Sequence, residues 1–538
     1  MTIGLREPKR AAESGKVAEE QSAKNKTGAS RSMNLANVLS GISANLPADA
    51  KSLVIQGVAC DSRKILPGYL FFALHGVKED GTKFVRDALE RGAMVVASES
   101  AAPADLSASI PWIQLPEGRR GLAIAAANFS GNPAKSLKLI AVTGTNGKTT
   151  TTSLIDSVLR ASGAKTGMFG TIAYHTPLGQ YPAPNTTPES LDLQGFFAEI
   201  RDAGGSYAVL EASSHALVMD RLWGCHFQSA VFTNLTRDHL DFHHNFADYF
   251  AAKRRLFEGT GAGAPETAIL NADDPYSERL TGLAKQSVTY GIENSADIAA
   301  KKFQLAFTGL GFTAQTPNGK LQIASPLVGR INVYNILAAI GAAQAAGIAN
   351  DTIEEGIRNL QNVSGRFQRV DMGQPFLVIV DFAHTDDALE NLIKTARELN
   401  PKGRVITLFG CGGGKDRTKR PIMGEVSGRL SDLTILTNDN PRQEDPLKII
   451  SDIVVGLQKS TGRYLIEPDR GKAISLACEE ARAGDIVLLA GKGHEDYQVL
   501  ADRTLPWDDR RVAAQVLREH GFDSSGQREE KAGSEFGT

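Results

Sequence analysis

Leu137-Lys-Leu-Ile-Ala-Val-Thr-Gly-Thr-Asn-Gly-Lys-Thr-Thr150 is the stretch on which the reading of this chain turns. Residues 137–142 form a short apolar run of the kind that makes a buried parallel strand. The run breaks at Gly144, and Lys148-Thr149-Thr150 opens a helical pattern carried by Leu154, Ile155, Val158 and Leu159. Strand, glycine loop and helix in that order bring backbone N–H groups together at a helix N-terminus. The lysine adds a point charge and a hydroxyl stands ready for Mg²⁺, so the stretch reads as a nucleoside triphosphate cradle. The spacing departs from the usual pattern at one place: the position of its first glycine holds Val142. The alternative, a glycine-rich turn with an ordinary surface lysine, does not account for a strand before and a helix after.

The composition sets bounds around this stretch. The chain has 538 residues, 42% hydrophobic and 22% charged, with a net charge of −2. That is room for three or four domains of ordinary globular composition, and the charge favours neither nucleic acid nor an anionic membrane as partner. The four cysteines, Cys60, Cys225, Cys411 and Cys478, form no Cys-x-x-Cys pair, so a zinc site or disulfide framework is not expected and a reducing cytoplasm is. No apolar run reaches membrane-spanning length, and no signal-peptide core precedes the first apolar pattern, so no membrane insertion is expected.

The expected organisation runs outward from the loop. Residues 1–32 are polar and charged and are expected to be a disordered extension; 523–538 are expected to be a flexible tail. Residues 33–136 read as a small α/β domain, with strands near 54–58, 69–73 and 93–97 and helices near 83–91 and 118–129. Residues 137–368 read as the nucleotide-binding domain. Within it lies a long Gly/Pro/Thr-rich connection at 171–188 containing Asn185-Thr-Thr-Pro, and a loop of that length is usually functional. Two apolar strands end in polar clusters, Glu211-Ala-Ser-Ser-His215 and Thr233-Asn-Leu-Thr-Arg-Asp-His239. Open α/β sheets bind ligands at such carboxyl ends. Alternation over 303–328 with a turn at Thr316-Pro-Asn-Gly319 reads as a small antiparallel hairpin, followed by an alanine-rich helix near 336–346.

Residues 369–522 repeat a strand-then-polar-loop pattern four times. The loops are Asp381-Phe-Ala-His-Thr385, Gly410-Cys-Gly-Gly-Gly-Lys-Asp-Arg-Thr-Lys-Arg420, Thr437-Asn-Asp-Asn-Pro-Arg442 and Ala490-Gly-Lys-Gly-His-Glu495. This predicts a second, Rossmann-like parallel sheet, without the GxGxxG spacing of a dinucleotide site. Arg442, Lys415 and Lys492 are cations that could together receive a carboxylate-bearing substrate, although each alone reads as surface charge.

Seven motifs in one order, the phosphate loop, Asn185-Thr-Thr187, Glu211–His215, Thr233–Asp241, Asp381–His384, Asp439–Arg442 and Gly491–Gln498, resemble those of the Mur ligases over about residues 33 to 520. The resemblance implies three domains: one that recognises UDP, a central ATPase and a C-terminal Rossmann-like domain. It also implies an activity. ATP phosphorylates a side-chain carboxylate of UDP-MurNAc-L-Ala-D-Glu, and the amine of meso-diaminopimelate displaces the phosphate. A monomer is expected.

Residue by residue, the resemblance implies that Gly144, Thr145, Asn146, Gly147, Lys148, Thr149 and Thr150 hold ATP phosphates. Asn332, Asn335, Arg366, Asp381 and His384 would surround the nucleotide. Thr149 and Glu211 would hold one Mg²⁺; His239 and Lys253, carbamylated to N6-carboxylysine, would serve a second. Lys148, Glu211, His239 and Lys253 form the catalytic set. Cys60, Ser62, Val77, Lys78 and Glu79 would meet the uridine nucleotide, and Asn185, Thr186, Thr187, Ser213, Met219 and Arg221 the muramyl dipeptide. Lys415, Asp439, Asn440, Pro441, Arg442, Gly491 and Glu495 would bind diaminopimelate, with Arg442 meeting the carboxylate that lysine lacks. Where the family has Gly-Gly-Asp-Arg-Asp this chain has Gly413-Gly-Lys-Asp-Arg417, so Lys415 stands at the arginine position and Arg417 is an alternative.

Three other readings compete. The same ligase could add L-lysine, which Arg442 opposes. A folylpolyglutamate synthase shares the ATPase architecture but not the Asp439–Arg442 loop or Asn185-Thr-Thr. A nucleotide-dependent switch or scaffold would hydrolyse ATP without small-molecule substrates.

Overall fold

The computed structural model describes residues 32–76, 79–107 and 109–523, which fall into two units. Val77 and Lys78 lie outside the described residues, as do 1–31 and 524–538, the bulk of the expected extension and tail.

The first unit holds the residues up to Pro133 together with 190–198 and 220–224. Its sheet is parallel, in the order β1 (Gly57–Ala59), β2 (Tyr69–Ala73), β3 (Ala93–Ser98), β4 (Trp112–Gln114). Helix α1 (Val85–Glu90) and helix α2 (Gly118–Phe129) accompany it. Alternate residues of β2 serve two cores: Leu70 and Phe72 pack with Leu122 and Ala125 of α2, Phe71 and Ala73 with Val85 and Ala88 of α1. A strand with both faces buried reads as a continuous apolar run, as Leu70-Phe-Phe-Ala73 does. The strand expected at 54–58 is split, because Val54–Ile55 pairs antiparallel with Met33–Asn34 and only Gly57–Ala59 joins the sheet.

The second unit contains two sheets. The first starts with β5 (Lys138–Thr143) and α3 (Lys148–Ala161), then β6 (Thr166–Phe169), β7 (Tyr174–Thr176), β8 (Gly179–Tyr181), β9 (Tyr207–Glu211), α4 (Ser214–Val218), β10 (Phe227–Phe232) and α5 (Phe246–Glu258). It continues through β11 (Thr267–Asn271), β12 (Gln286–Gly291), β13 (Ile298–Ala306), β14 (Gly309–Thr316) and β15 (Gly319–Ser325), and closes with α6 (Arg330–Ala345) and α7 (Asn350–Asn359). The strand order is β8-β7-β6-β9-β5-β10-β11-β12-β13-β14-β15. The run from β6 to β13 is parallel; β7–β8 and β14–β15 extend it antiparallel at either end. Strand β5 lies between β9 and β10, so the polar ends of all three open on one edge. Its core is built on Ile140, Val142, Leu154, Val158 and the buried face of α6.

The second sheet follows. Its elements are β16 (Gln368–Val370), β17 (Leu377–Asp381), α8 (Asp386–Leu399), β18 (Val405–Phe409), α9 (Lys419–Leu430), β19 (Leu433–Leu436), α10 (Pro446–Leu457), β20 (Arg463–Ile466), α11 (Arg470–Glu480) and β21 (Ile486–Ala490). The order is β16-β17-β21-β18-β19-β20, parallel except for β16. A hairpin, β22 (Tyr497–Val499) and β23 (Thr504–Pro506), and α12 (Asp509–Glu519) complete it. Helices cover both faces of this sheet, each over its own apolar cluster. Among the described residues no helix is long and apolar enough to cross a membrane.

Candidate functional site

The phosphate loop is shaped by what its glycines avoid. Gly147 has φ +87°, and a Cβ there would stand 2.4 Å from Asn335 Oδ1; Gly144 has φ +142°, and a Cβ would stand 1.9 Å from Thr233 Oγ1. Neither position admits a side chain, by conformation or by space. The loop is braced from the end of β10: Asn146 N donates to Asn234 Oδ1 (2.9 Å), and Thr233 Oγ1 donates to the Asn146 carbonyl (2.6 Å). Lys148 Nζ folds back onto the Gly144 and Thr145 carbonyls (3.0 and 2.8 Å), and burial lowers its pKa.

Glu211 and Lys253 converge on this loop. Glu211 Oε1 accepts from Thr171 N (2.9 Å) and Oε2 from the Thr171 hydroxyl (3.0 Å). Lys253, on α5 and 1% exposed, donates to the Gly144 carbonyl (2.6 Å). Burial, reinforced by Lys148, drives its pKa well below that of a free lysine. His239 has φ +55°, an uncommon backbone state outside glycine that clusters at functional positions. Burial lowers its pKa, which leaves the imidazole neutral. Its ring meets that of His215 edge to face at 4.8 Å. A cavity of about 210 Å³ is lined by Lys148, Thr149, Thr171, Thr186, Glu211, Ser213, Asp238, His239, Lys253, Arg366, Phe382 and His384, among others.

The donor chemistry around this cavity fits Mg²⁺ held jointly with phosphates. Among the described residues no three His, Cys, Asp or Glu side chains converge into a protein-only cage. One carboxylate and a Thr149 hydroxyl, with phosphate oxygens to complete the shell, suit an ion that uses few protein ligands. Beside His239, Lys253 offers a hard cation an oxygen ligand only if its Nζ acquires an acidic group.

A neighbouring pocket of about 100 Å³ lies against Gly147, Thr150, Val328, Asn332, Asn335, Arg366, Phe367, Asp381 and Leu392. Helix α6 begins at Arg330 rather than near 336, which puts Asn332 and Asn335 three apart on its first turns, joined by a 2.9 Å hydrogen bond. Arg366 Nη2 donates to Thr149 Oγ1 (3.2 Å), and its guanidinium lies 4.8 Å from the Phe382 ring. Asp381 accepts from Phe367 N (2.7 Å) and Ala383 N (2.8 Å), while burial raises its pKa. His384 is lowered to about 4, by burial first and then by Lys419.

The loops of the second sheet enclose a third cavity, about 180 Å³, lined by Lys415, Asp439, Asn440, Arg442, Gly491 and Glu495. Arg442 has φ +54°, and its Nη1 donates to the Gly413 and Asn440 carbonyls (3.0 and 3.3 Å). Lys415 belongs to the lining; Arg417 turns away toward Glu444 (3.5 Å) and Asp452 (3.8 Å). The intervening glycine loop is pinned by Arg420, whose side chain is fully buried between Glu444, Asp452 and the Gly412 carbonyl. Pro441 does not line this cavity. Lys492 is also outside the lining, with its side chain fully buried behind it.

This cavity and the phosphate-loop cavity share Asp238, His239, Phe382 and His384. Sequence reasoning singled out neither Asp238 nor Phe382. It also missed Asp387, whose Oδ2 accepts from Asn146 Nδ2 (2.6 Å) and the Thr236 hydroxyl (3.2 Å). No local pattern signals a partner 241 residues away.

The residues expected to meet the UDP-linked substrate divide between the units. Cys60, Ser62, Glu79 and Arg221 are in the first; Asn185, Thr186, Thr187, Ser213 and Met219 are in the second. In the second, Thr187 Oγ1 donates to the Glu211 carbonyl (2.6 Å) and lies 3.1 Å from Ser213 Oγ, which itself caps α4. These contacts tie the residues expected at the dipeptide to Glu211.

Residues 54–130, 142–343 and 365–493 match, respectively, the Mur ligase family catalytic domain, the Mur ligase middle domain and the Mur ligase glutamate ligase domain. The chain is 52% identical to a UDP-N-acetylmuramoyl-L-alanyl-D-glutamate–2,6-diaminopimelate ligase of Solibacter usitatus, over 91% of this chain and 99% of that one. It is 44% identical to the enzyme of the same description from Geobacillus thermodenitrificans, over 86% and 95%. A solved structure of that description superposes with a TM-score of 0.65 at 32% identity, covering 91% of this chain and 99% of the other.

Proposed function

The chain belongs to the Mur ligase family, and from that premise we propose that it is an ATP-dependent amide ligase joining meso-2,6-diaminopimelate to UDP-MurNAc-L-Ala-D-Glu. The observation that carries this reading is the junction between the phosphate-loop cavity and the cavity at Arg442 and Glu495. A condensing enzyme must let an activated carboxylate and an amine meet, and here the two chambers share a wall of four residues.

The chemistry follows from the poor electrophilicity of a carboxylate. Transfer of the γ-phosphoryl group to the D-Glu carboxylate gives an acyl phosphate and ADP. The diaminopimelate amine then adds to that carbonyl, and phosphate departs as the amide forms. The protein's part is positioning and charge neutralisation. The backbone N–H groups from Gly144 to Thr150 and the Lys148 ammonium receive the phosphates, while Asn332, Asn335, Arg366, Asp381 and His384 hold the nucleotide. Bound Mg²⁺ would neutralise charge on the phosphoryl oxygens, held by Thr149 and Glu211 at one position and by His239 and modified Lys253 at a second. The low pKa of Lys253 supports its modification, because the neutral amine adds to CO₂ with loss of one proton to give a carbamate. Asn185, Thr186, Thr187, Ser213, Met219 and Arg221 orient the dipeptide, and Cys60, Ser62, Val77, Lys78 and Glu79 the uridine nucleotide. At the far end, Asp439 and Glu495 receive the distal ammonium of diaminopimelate, and Arg442 with Lys415 its carboxylate. We place the enzyme in the cytoplasm as a monomer, a setting consistent with a sequence that has no Cys-x-x-Cys pair.

Phosphate release from ATP, measured with UDP-MurNAc-L-Ala-D-Glu and either meso-diaminopimelate or L-lysine, tests the proposal. Release that depends on diaminopimelate is expected. Release with lysine alone would overturn the assignment of Arg442, and release indifferent to both amino acids would return the chain to the class of nucleotide switches.

A further inference from the structure

The wall shared by the two chambers consists of Asp238, His239, Phe382 and His384. Two of these side chains are imidazoles and one is a phenyl ring, so Asp238 alone can carry a negative charge there. Among the described residues it is the one carboxylate that lines both cavities. Neither the nucleotide contacts nor the metal positions described above make use of it.

The other carboxylates around the two cavities have partners of their own. Glu495 Oε2 accepts from Asn440 Nδ2 (2.9 Å) and from Lys492, whose three donors are all engaged: with Glu495 (3.2 Å), Asn440 Oδ1 (2.6 Å) and the Tyr497 carbonyl (2.9 Å). Asp439 Oδ1 lies 3.2 Å from the same ammonium. Asp416 accepts from Thr418 N (2.8 Å) and faces Arg237 (3.8 Å), and Asp241 faces Lys415 (3.9 Å). On the nucleotide side, Thr171 takes both oxygens of Glu211, and Phe367 N and Ala383 N take those of Asp381. Asp238 is different. Its Oδ1 accepts from His239 N (2.8 Å) and so holds the turn at which His239 has φ +55°. Its Oδ2 takes no hydrogen bond among the described residues and lies 3.4 Å from His239 Nε2.

Condensation requires an amine to reach this junction, and an amino acid in neutral water brings that nitrogen as an ammonium. Lys415, Lys419 and Arg442 line the same cavity and repel it. Lys419 is fixed close by, through its bond to the His384 carbonyl (2.7 Å). We propose that Asp238 is the binding residue for the reacting ammonium of the amino acid, receiving that nitrogen at the shared wall with the oxygen its own turn leaves unengaged. A charge-assisted hydrogen bond there holds the nitrogen beside the chamber in which the acyl phosphate forms, and such positioning turns two bound substrates into a reacting pair. Asp439 and Glu495 then serve the distal ammonium and Asp238 the reacting one, so the two ends of diaminopimelate are held by different carboxylates. This inference rests on the reaction proposed above.

The experiment gives the full-length enzyme and its Asp238→Asn variant two nucleophiles. One is meso-diaminopimelate, whose amine arrives charged. The other is hydroxylamine, which is uncharged at neutral pH and converts an acyl phosphate to a hydroxamate with release of phosphate. Asp238→Asn keeps an acceptor for His239 N and removes the charge. It should lower kcat/KM for diaminopimelate by at least about tenfold, the loss of a hydrogen bond to a charged group. Hydroxamate formation at saturating ATP and UDP-MurNAc-L-Ala-D-Glu should stay within about twofold of the parent, because phosphoryl transfer is untouched. Parallel losses with both nucleophiles would overturn the proposal and move Asp238 to the phosphate or metal chemistry, and undiminished use of diaminopimelate would overturn it as well. Should the variant not fold, the parent decides: an analogue with a hydroxyl in place of the reacting amine should bind at least about tenfold more weakly than diaminopimelate in the presence of ADP, and equal binding refutes an ammonium held at the wall. A parent that releases no phosphate in response to diaminopimelate fails the proposed reaction itself, before any variant is compared.

Discussion

Arg470 and Asp509 form an ion pair in which both side chains have zero solvent exposure, and replacing Asp509 by Asn puts a large, local cost on the second sheet. Arg470 donates to Asp509 through Nε (2.8 Å) and Nη2 (2.6 Å), and its remaining donors hold the Ala490 carbonyl (3.0 Å) and the Asn438 carbonyl (3.3 Å). Asp509 also accepts from Trp507 Nε1 (2.8 Å). Asparagine keeps one acceptor but turns an NH₂ toward the guanidinium and leaves its charge buried without a counter-ion. Breaking such a pair costs about 3–5 kcal/mol, and the retained acceptor puts Asp509→Asn near 3–4. With a urea slope of about 2 kcal/mol/M for a segment of this size, the unfolding midpoint should fall by roughly 1.5–2 M. The assay is Trp507 emission during urea unfolding, in a background with Trp112 and Trp223 changed to Phe, so that the probe reports its own segment rather than a global transition. Because paired apolar replacement of a buried ion pair is often nearly neutral, Arg470→Met with Asp509→Leu should recover most of the loss. A midpoint within about 0.3 M of the parent, or a double variant no better than the single one, would refute the claim that an uncompensated buried charge is the cause.

Three further outcomes follow from the site. Arg442→Ala should reduce kcat/KM for diaminopimelate by about 30-fold or more, the loss of a charge-assisted contact, while ATP and UDP-substrate KM values stay put; an unchanged KM for diaminopimelate would remove Arg442 from the pocket's chemistry. Gly147→Ala combines a left-handed backbone with a Cβ 2.4 Å from Asn335 Oδ1 and should weaken nucleotide binding by at least about tenfold, which titration calorimetry with ADP would read. Glu444 is held at about 2 against an ordinary 4.5, first by its hydrogen bonds from Arg420 and then by Gly414 N. A depressed carboxyl contributes stability that is complete above pH 4.5 and lost as pH falls from there through about 2. Glu444→Gln should therefore flatten the acid limb of stability in that window, and a limb of unchanged steepness would assign the acid loss to other groups.

How much of this could be read from the chain alone depended on the length scale of the signal. The strand and helix around Gly144 were legible because apolar periodicity is local, and helix α2 was legible as 118–129 for the same reason. The hairpin β7–β8 was not: Tyr174–Thr176 and Gly179–Tyr181 are three-residue strands, too short for alternation to register, and the stretch read as a plain connection. Strand β20 has a half-exposed Arg-Tyr-Leu-Ile pattern at the sheet edge and gave no apolar run. Strands β14 and β15 were legible as an antiparallel hairpin, but not β13 or the attachment of all three to the main sheet, since the Tyr290–Ile298 pairing is a tertiary fact. At the site, residue types were legible and directions were not. Lys415 and Arg417 lie two apart on one loop, and it is Glu444 and Asp452 that draw Arg417 away. Lys492 looked like a cation for substrate until its three donors were counted.

The bond between Asn146 and Asp387 also has a meaning in time. The chain is made from its N-terminus, and Asp387 leaves the ribosome 241 residues after the loop it touches. At about 5–20 residues per second, every nascent molecule spends roughly 12–50 seconds with an Asn146 whose carboxylate partner has not yet been made. The birth order of the polypeptide thus delivers the phosphate loop early, and the far wall of its chamber arrives late, on the segment from Arg366 to Leu392 that also bears Asp387.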